Sequence, residues 1–206
     1  MDSSLLSFRI DWRWSPLLVA ASAAFVACAF PDRMPLEWGY ENSLIENIQL
    51  GVMLFGVALC ATAKNRRSFY RFAAFVVLLC LLREVSFGRT VFFPVEGQTD
   101  TFRKWKEIPC GWLAHWGIAA YIAGLTVFFV SRRLWKSLWE IVRAKSFPVW
   151  GFLLMLAGAL LNTVEEAVFH DYVAEEIGEL GMYLAFVYLL AVYTRRPEYT
   201  NPNPEK

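Results

Sequence analysis

The side chains of this chain that are equipped for proton transfer or metal binding are few and unevenly placed. There are two histidines, His115 and His170. Glu166 stands four residues before His170, which puts both on one face of a helix if a helix runs through them. Glu175 and Glu179 are also four apart, and Glu84 adjoins Arg83. A neutral imidazole with two or three carboxylates suits zinc or another first-row divalent metal. His115, Glu166, His170 and Glu179 are the expected metal-ligand set, with zinc or iron as the ion. Glu46, Glu84, Glu166 and His115 are the expected acids and bases. Arg83 and Arg89 are the expected holders of an anionic substrate group. The spacing is neither Glu-x-x-His nor His-Glu-x-x-His, so no particular metalloenzyme reaction is indicated.

Something must carry these groups, and the composition says what. Of 206 residues, 57% are hydrophobic, with seventeen Phe and nine Trp, and the mean hydropathy is +0.38. Soluble domains are usually about 45–50% apolar. Apolar stretches near 14–30, 43–63, 69–87, 110–130, 148–164 and 177–194 are each close to the about 20 residues that a membrane helix needs. Backbone groups in lipid must be paired within the segment, so the expected fold is all-α. It is read as one polytopic bundle of about six transmembrane helices in a single domain. The run after Arg9 and Arg13 resembles a secretory h-region, but it continues past Cys28 and reads as the first span. The four cysteines form no CxxC; three lie in apolar runs as packing residues, and Cys110 sits at an expected membrane edge. The net charge of +1 offers no pull toward nucleic acid.

With six spans, alternate connections hold fourteen Lys and Arg on one side and six on the other. The positive-inside rule then places both termini in the cytoplasm of a plasma (inner) membrane protein. Residues 195–206, with three prolines, form the expected disordered cytoplasmic tail. Within 131–147, Leu134, Trp135, Leu138, Ile141 and Val142 recur at helical spacing among five cations, the pattern of an interfacial amphipathic helix on anionic lipid.

Glu46, Arg83, Glu84, Arg89, Glu166, His170 and Glu179 all fall at the outer ends of their helices. His115 lies about five residues deep, roughly 7–8 Å below the edge. Intramembrane charges are costly, face the bundle interior and pair with one another. The convergence therefore predicts a polar chamber open to the outside. Glu165, Asp171 and Glu176 are expected to be solvated helix ends. The outer loop 88–109 mixes Phe92, Phe93, Phe102 and Trp105 with Arg89, Arg103, Lys104 and Lys106, a composition suited to phosphate headgroups.

Three functions fit. One is a membrane-embedded enzyme acting on a lipid or lipid-linked substrate at the outer leaflet. The second is a non-catalytic accessory protein that binds another membrane component. The third is a proton- or ion-coupled transporter, against which stand the small size and acids confined to one layer. Membrane lipids are the expected partners. Gly117 and Gly124, or Gly178 and Gly181, would permit close helix packing within the chain or with a protein partner or second copy.

Overall fold

The computed structural model describes residues 35–40, 43–64, 66–95, 102–143, 149–164 and 172–195. The expected first span and the proline-containing tail lie outside them. The described residues are helical and contain no strand; a lone bridge joins Pro94 to Phe102. Seven α-helices follow in order: α1 (Leu44–Thr62), α2 (Arg67–Glu84), the single turn α3 (Arg89–Phe92), α4 (Trp112–Ser131), α5 (Leu134–Arg143), α6 (Val149–Val164) and α7 (Tyr172–Arg195).

Among the described residues, three helices are long and apolar enough to cross a membrane: α1, α4 and α7. The apolar part of α6 is the shorter stretch Gly151–Leu160, and α2 carries Arg67, Arg71, Arg83 and Glu84. The described residues thus show the coarser form of the six-span expectation, helices without strands and three of them long and apolar enough to span.

The three differ in where they sit. In α7, 72% of the apolar window is buried, against 39% in α1 and none in α4. The centre of the bundle is therefore α7, with α1, α2 and α6 around it. Its Tyr183, Leu189, Leu190 and Val192 share one buried cluster with Met53 and Cys60 of α1 and with Tyr70, Ala73 and Val77 of α2. The contact faces follow helical periodicity: Glu46, Gln49, Met53, Gly56 and Cys60 on α1, and Tyr70, Ala73 and Val77 on α2. Backbone proximity sets α6 against α7. A Cβ on Gly158 would lie 2.7 Å from the Met182 nitrogen and 3.0 Å from the Gly178 oxygen.

Helix α4 is apolar on every side and buries none of them, leaving Trp112, Leu113, Trp116, Ile122, Val127 and Val130 exposed. Water would penalise such a surface at about 25 cal/mol per Å²; a hydrocarbon solvent does not. Gly117 and Gly124 on this helix have no neighbour within 4 Å where a Cβ would stand. They therefore mediate no close approach among the described residues.

Several boundaries differ from expectation. Helix α2 stops at Glu84 rather than at Phe87, because Ser86 and Phe87 take positive φ (43° and 52°) ahead of Gly88 (87°). Helix α7 starts at Tyr172, five residues before the expected 177, so its glutamates lie inside the helix. The amphipathic segment forms α5: Leu134 and Ile141 are buried, while Trp135, Leu138 and Trp139 are exposed.

Candidate functional site

The polar ends of α1, α2 and α7 meet at one end of the bundle. On α7, Glu176, Glu179 and Tyr183 follow one helix face at spacings of three and four. Opposite them are Glu46 and Gln49 of α1, which are 4% and 0% exposed, and Arg83 and Glu84 at the last turn of α2. Gln49 Nε2 donates to both the backbone oxygen and Oε2 of Glu176, at 2.9 Å each. Arg83 donates through Nη2 to Glu179 Oε1 at 2.9 Å, and through Nη1 to Glu84 Oε1 at 3.1 Å and to the Tyr183 hydroxyl at 3.2 Å. The Tyr183 hydroxyl in turn donates to Glu84 Oε1 at 2.6 Å. Glu46 lies within electrostatic range of both Glu84 and Glu176.

The cluster is anionic at its buried side and cationic at its mouth. The Glu84 and Glu179 side chains are each 6% exposed, whereas Arg83 is 59% exposed. Arg83 thus neutralises two buried carboxylates while keeping part of its guanidinium accessible, which lowers the cost of holding charge in a low dielectric.

That accessible part belongs to a second feature. A cleft of about 390 Å³ is lined by Arg83, Phe87, Arg89, Lys104, Trp105 and His115. The left-handed residues after α2 bend the chain so that Arg89 returns beside Arg83. The Arg89 guanidinium carbon lies 5.9 Å from the centre of the Phe102 ring, and Phe102 is brought back by the bridge to Pro94 and by Arg103 N–H donating to Phe93 O. Trp105 meets His115 edge to face at 6.2 Å between ring centres. The Trp105 turn packs against the start of α4 so closely that a Cβ on Gly111 would stand 2.0 Å from the Trp105 carbonyl oxygen. Such a cleft can hold an anionic group against cations and an aromatic wall, with an imidazole at hand for proton transfer.

The structure thus brings Glu46, Glu84, Arg83, Arg89, His115 and Glu179 to one end of the bundle. It divides them between a buried acidic network and an open basic cleft, joined by Arg83. Glu165, Glu166, His170 and Asp171 lie outside the described residues, so half of the expected metal set is not located. Among the described residues no group of three or more His, Cys, Asp or Glu is placed to hold a metal ion. Glu176, expected to be a solvated helix end, is instead bound by Gln49, because α7 begins a turn earlier and carries it inward. Lys104 and Trp105 belong to the loop expected to suit phosphate headgroups, whereas sequence reasoning missed Tyr183. Tyr183 was legible in principle, lying four residues after Glu179 on the same face.

Comparison with protein-family models, with curated proteins and with solved structures finds no match to this chain.

Proposed function

We propose that the protein is a membrane-embedded enzyme acting on a lipid or lipid-linked substrate with an anionic headgroup, at the outer leaflet of the plasma (inner) membrane. The observation that carries this reading is the adjacency, through Arg83, of the basic cleft and the buried carboxylates. Arg83, Arg89 and Lys104 bind the headgroup, and Trp105 packs against its apolar neck. His115 transfers the proton, and Glu84, held by Tyr183 and Arg83, is the nearby carboxylate. The lateral position of α4, with its apolar surface open, gives a lipid a route from the bilayer to the cleft. The excess of Lys and Arg in alternate connections supports the outward placement of this end, with both termini cytoplasmic.

The test is turnover of a mixed anionic lipid extract by the purified, reconstituted protein, followed by mass spectrometry. Loss of a proton-transfer group typically costs about 10²–10⁴-fold in rate, so His115→Ala should abolish measurable conversion while Arg103→Gln does not. Conversion that survives His115→Ala would overturn the catalytic assignment. Elemental analysis of the same preparation decides whether Glu166 and His170 bring a metal to this end.

One observation favours a second reading. Arg83, Glu84, Glu179 and Tyr183 already satisfy one another, as in a rigid docking layer of an accessory protein. That reading expects headgroup binding without turnover, co-purification with a partner, and full tolerance of His115→Ala. Transport fits less well, because α1 beyond Gln49 and α7 between Glu179 and Arg195 carry no charged side chain to continue a pathway.

A further inference from the structure

The opposite end of the bundle holds a second cleft. It has a volume of about 470 Å³ and lies between the end of α1 and the start of α2. A 19-residue helix spans about 28 Å at 1.5 Å per residue, close to the about 30 Å of a bilayer core. The two clefts therefore stand about one hydrocarbon thickness apart. One wall is Cys60, Ala61, Thr62 and Ala63, whose small side chains leave the space open. The other wall is the α2 face bearing Arg67, Arg71, Ala74 and Phe75, with Lys64 at the rim.

The order of residues on that face is informative. Positions 67, 71, 74 and 75 follow helical spacing, so two guanidinium groups lie at the mouth and an alanine and a phenylalanine lie one to two turns deeper. Phe75 is fixed there by the Phe128 ring of α4, at 6.4 Å and near perpendicular. Its carbonyl accepts the Tyr121 hydroxyl at 2.8 Å. Cation above and apolar surface below matches an amphiphile whose phosphate sits at the membrane surface.

A second landmark gives the level of that surface. Amphipathic α5 exposes Trp135, Leu138 and Trp139, the residues of an interfacial helix. It is tied to the start of α2 by Arg66 Nη2 and Glu140 Oε2 at 2.9 Å. The cleft mouth thus lies at headgroup depth. Arg66 is engaged by Glu140, whereas Lys64, Arg67 and Arg71 make no hydrogen bond or ion pair among the described residues. We propose that Lys64, Arg67 and Arg71 form a binding site for the phosphate of an anionic phospholipid, whose acyl chain lies along Ala74 and Phe75. The site is independent of the chemistry assigned to the other end.

The test uses the full chain in mixed micelles of phosphatidylglycerol and phosphatidylcholine, captured by an affinity tag, washed, and assayed for retained lipid by mass spectrometry. Because the cleft at the other end is also assigned an anionic headgroup, the variants are compared in an Arg89→Gln/Lys104→Gln background. Cations near the membrane surface are worth roughly five-fold each in anionic-lipid binding, so adding Lys64→Gln/Arg67→Gln/Arg71→Gln there should lower retained phosphatidylglycerol on the order of 100-fold. Arg103→Gln/Lys106→Gln should not. The wild-type chain should also lose its preference for phosphatidylglycerol as sodium chloride in the wash rises, a readout that does not depend on any variant folding. Equal retention of the two lipids, a salt-independent preference, or a triple variant that retains phosphatidylglycerol would each overturn the proposal. Displacement of the lipid by millimolar inorganic phosphate alone would assign the cations to a soluble anion and overturn the lipid assignment.

Discussion

Replacing Arg83 by Gln removes a cation that two nearly inaccessible carboxylates share. Breaking a fully buried ion pair by deleting one partner costs about 3–5 kcal/mol, because the remaining charge is left without compensation. Here both carboxylate side chains are 6% exposed but the arginine is 59% exposed, so solvent or headgroups already screen part of the interaction. The expected loss is reduced accordingly, to about 2–3 kcal/mol. In the Glu84→Gln/Glu179→Gln background the carboxylates are gone, and an arginine this accessible can turn its guanidinium outward. There the same Arg83→Gln change should cost less than about 0.5 kcal/mol, giving a coupling energy of at least about 1.5 kcal/mol. The assay is reversible unfolding in mixed detergent micelles, with denaturing detergent as the variable and tryptophan fluorescence as the signal. Equal costs in the two backgrounds would refute the argument. Arg83 would then stabilise the bundle through packing of its aliphatic stem, and the acids would have some other source of compensation.

Two further predictions concern glycines whose neighbours are backbone atoms and so cannot swing aside. Gly158→Ala should lower the melting temperature in detergent, since overpacking of about 1–3 kcal/mol exceeds the gain of about 1 kcal/mol in helix propensity. Gly51→Ala, which meets no atom within 4 Å, serves as its control and should be neutral or stabilising. Gly111→Ala should push the Trp105 turn away from α4 and separate Trp105 from His115. A fluorine-labelled tryptophan at 105 should then change its resonance, and headgroup binding at that cleft should fall; an unchanged resonance would contradict the close approach seen here.

Much was legible before any coordinates. The apolar runs that became α1, α4 and α7 are long and apolar enough to cross a membrane, and helix is the form that lipid allows such segments. The amphipathic α5 was equally plain, because its apolar positions recur at helical spacing among cations. Gathering Glu46, Arg83, Glu84, His115 and Glu179 at one end needed only helix direction, since antiparallel neighbours of similar length put alternate termini together. What the chain could not reveal by itself was rotation and detail at the ends. Helix α4 is as apolar as α7, yet one lies outside the bundle and the other at its centre; periodicity is silent where every face is apolar. Which acids pair depended on where α7 begins, and that moved Glu176 from an expected solvated position to the partner of Gln49. The basic cleft depended on three successive left-handed residues after α2, a backbone path that Ser86 and Phe87 do not announce. Composition and length thus determined the solvent and the helices, because those depend on sums over many residues. The tertiary structure decided the division of the polar end into an acidic network and a cationic cleft, because that depends on the rotation of single helices and the course of one turn.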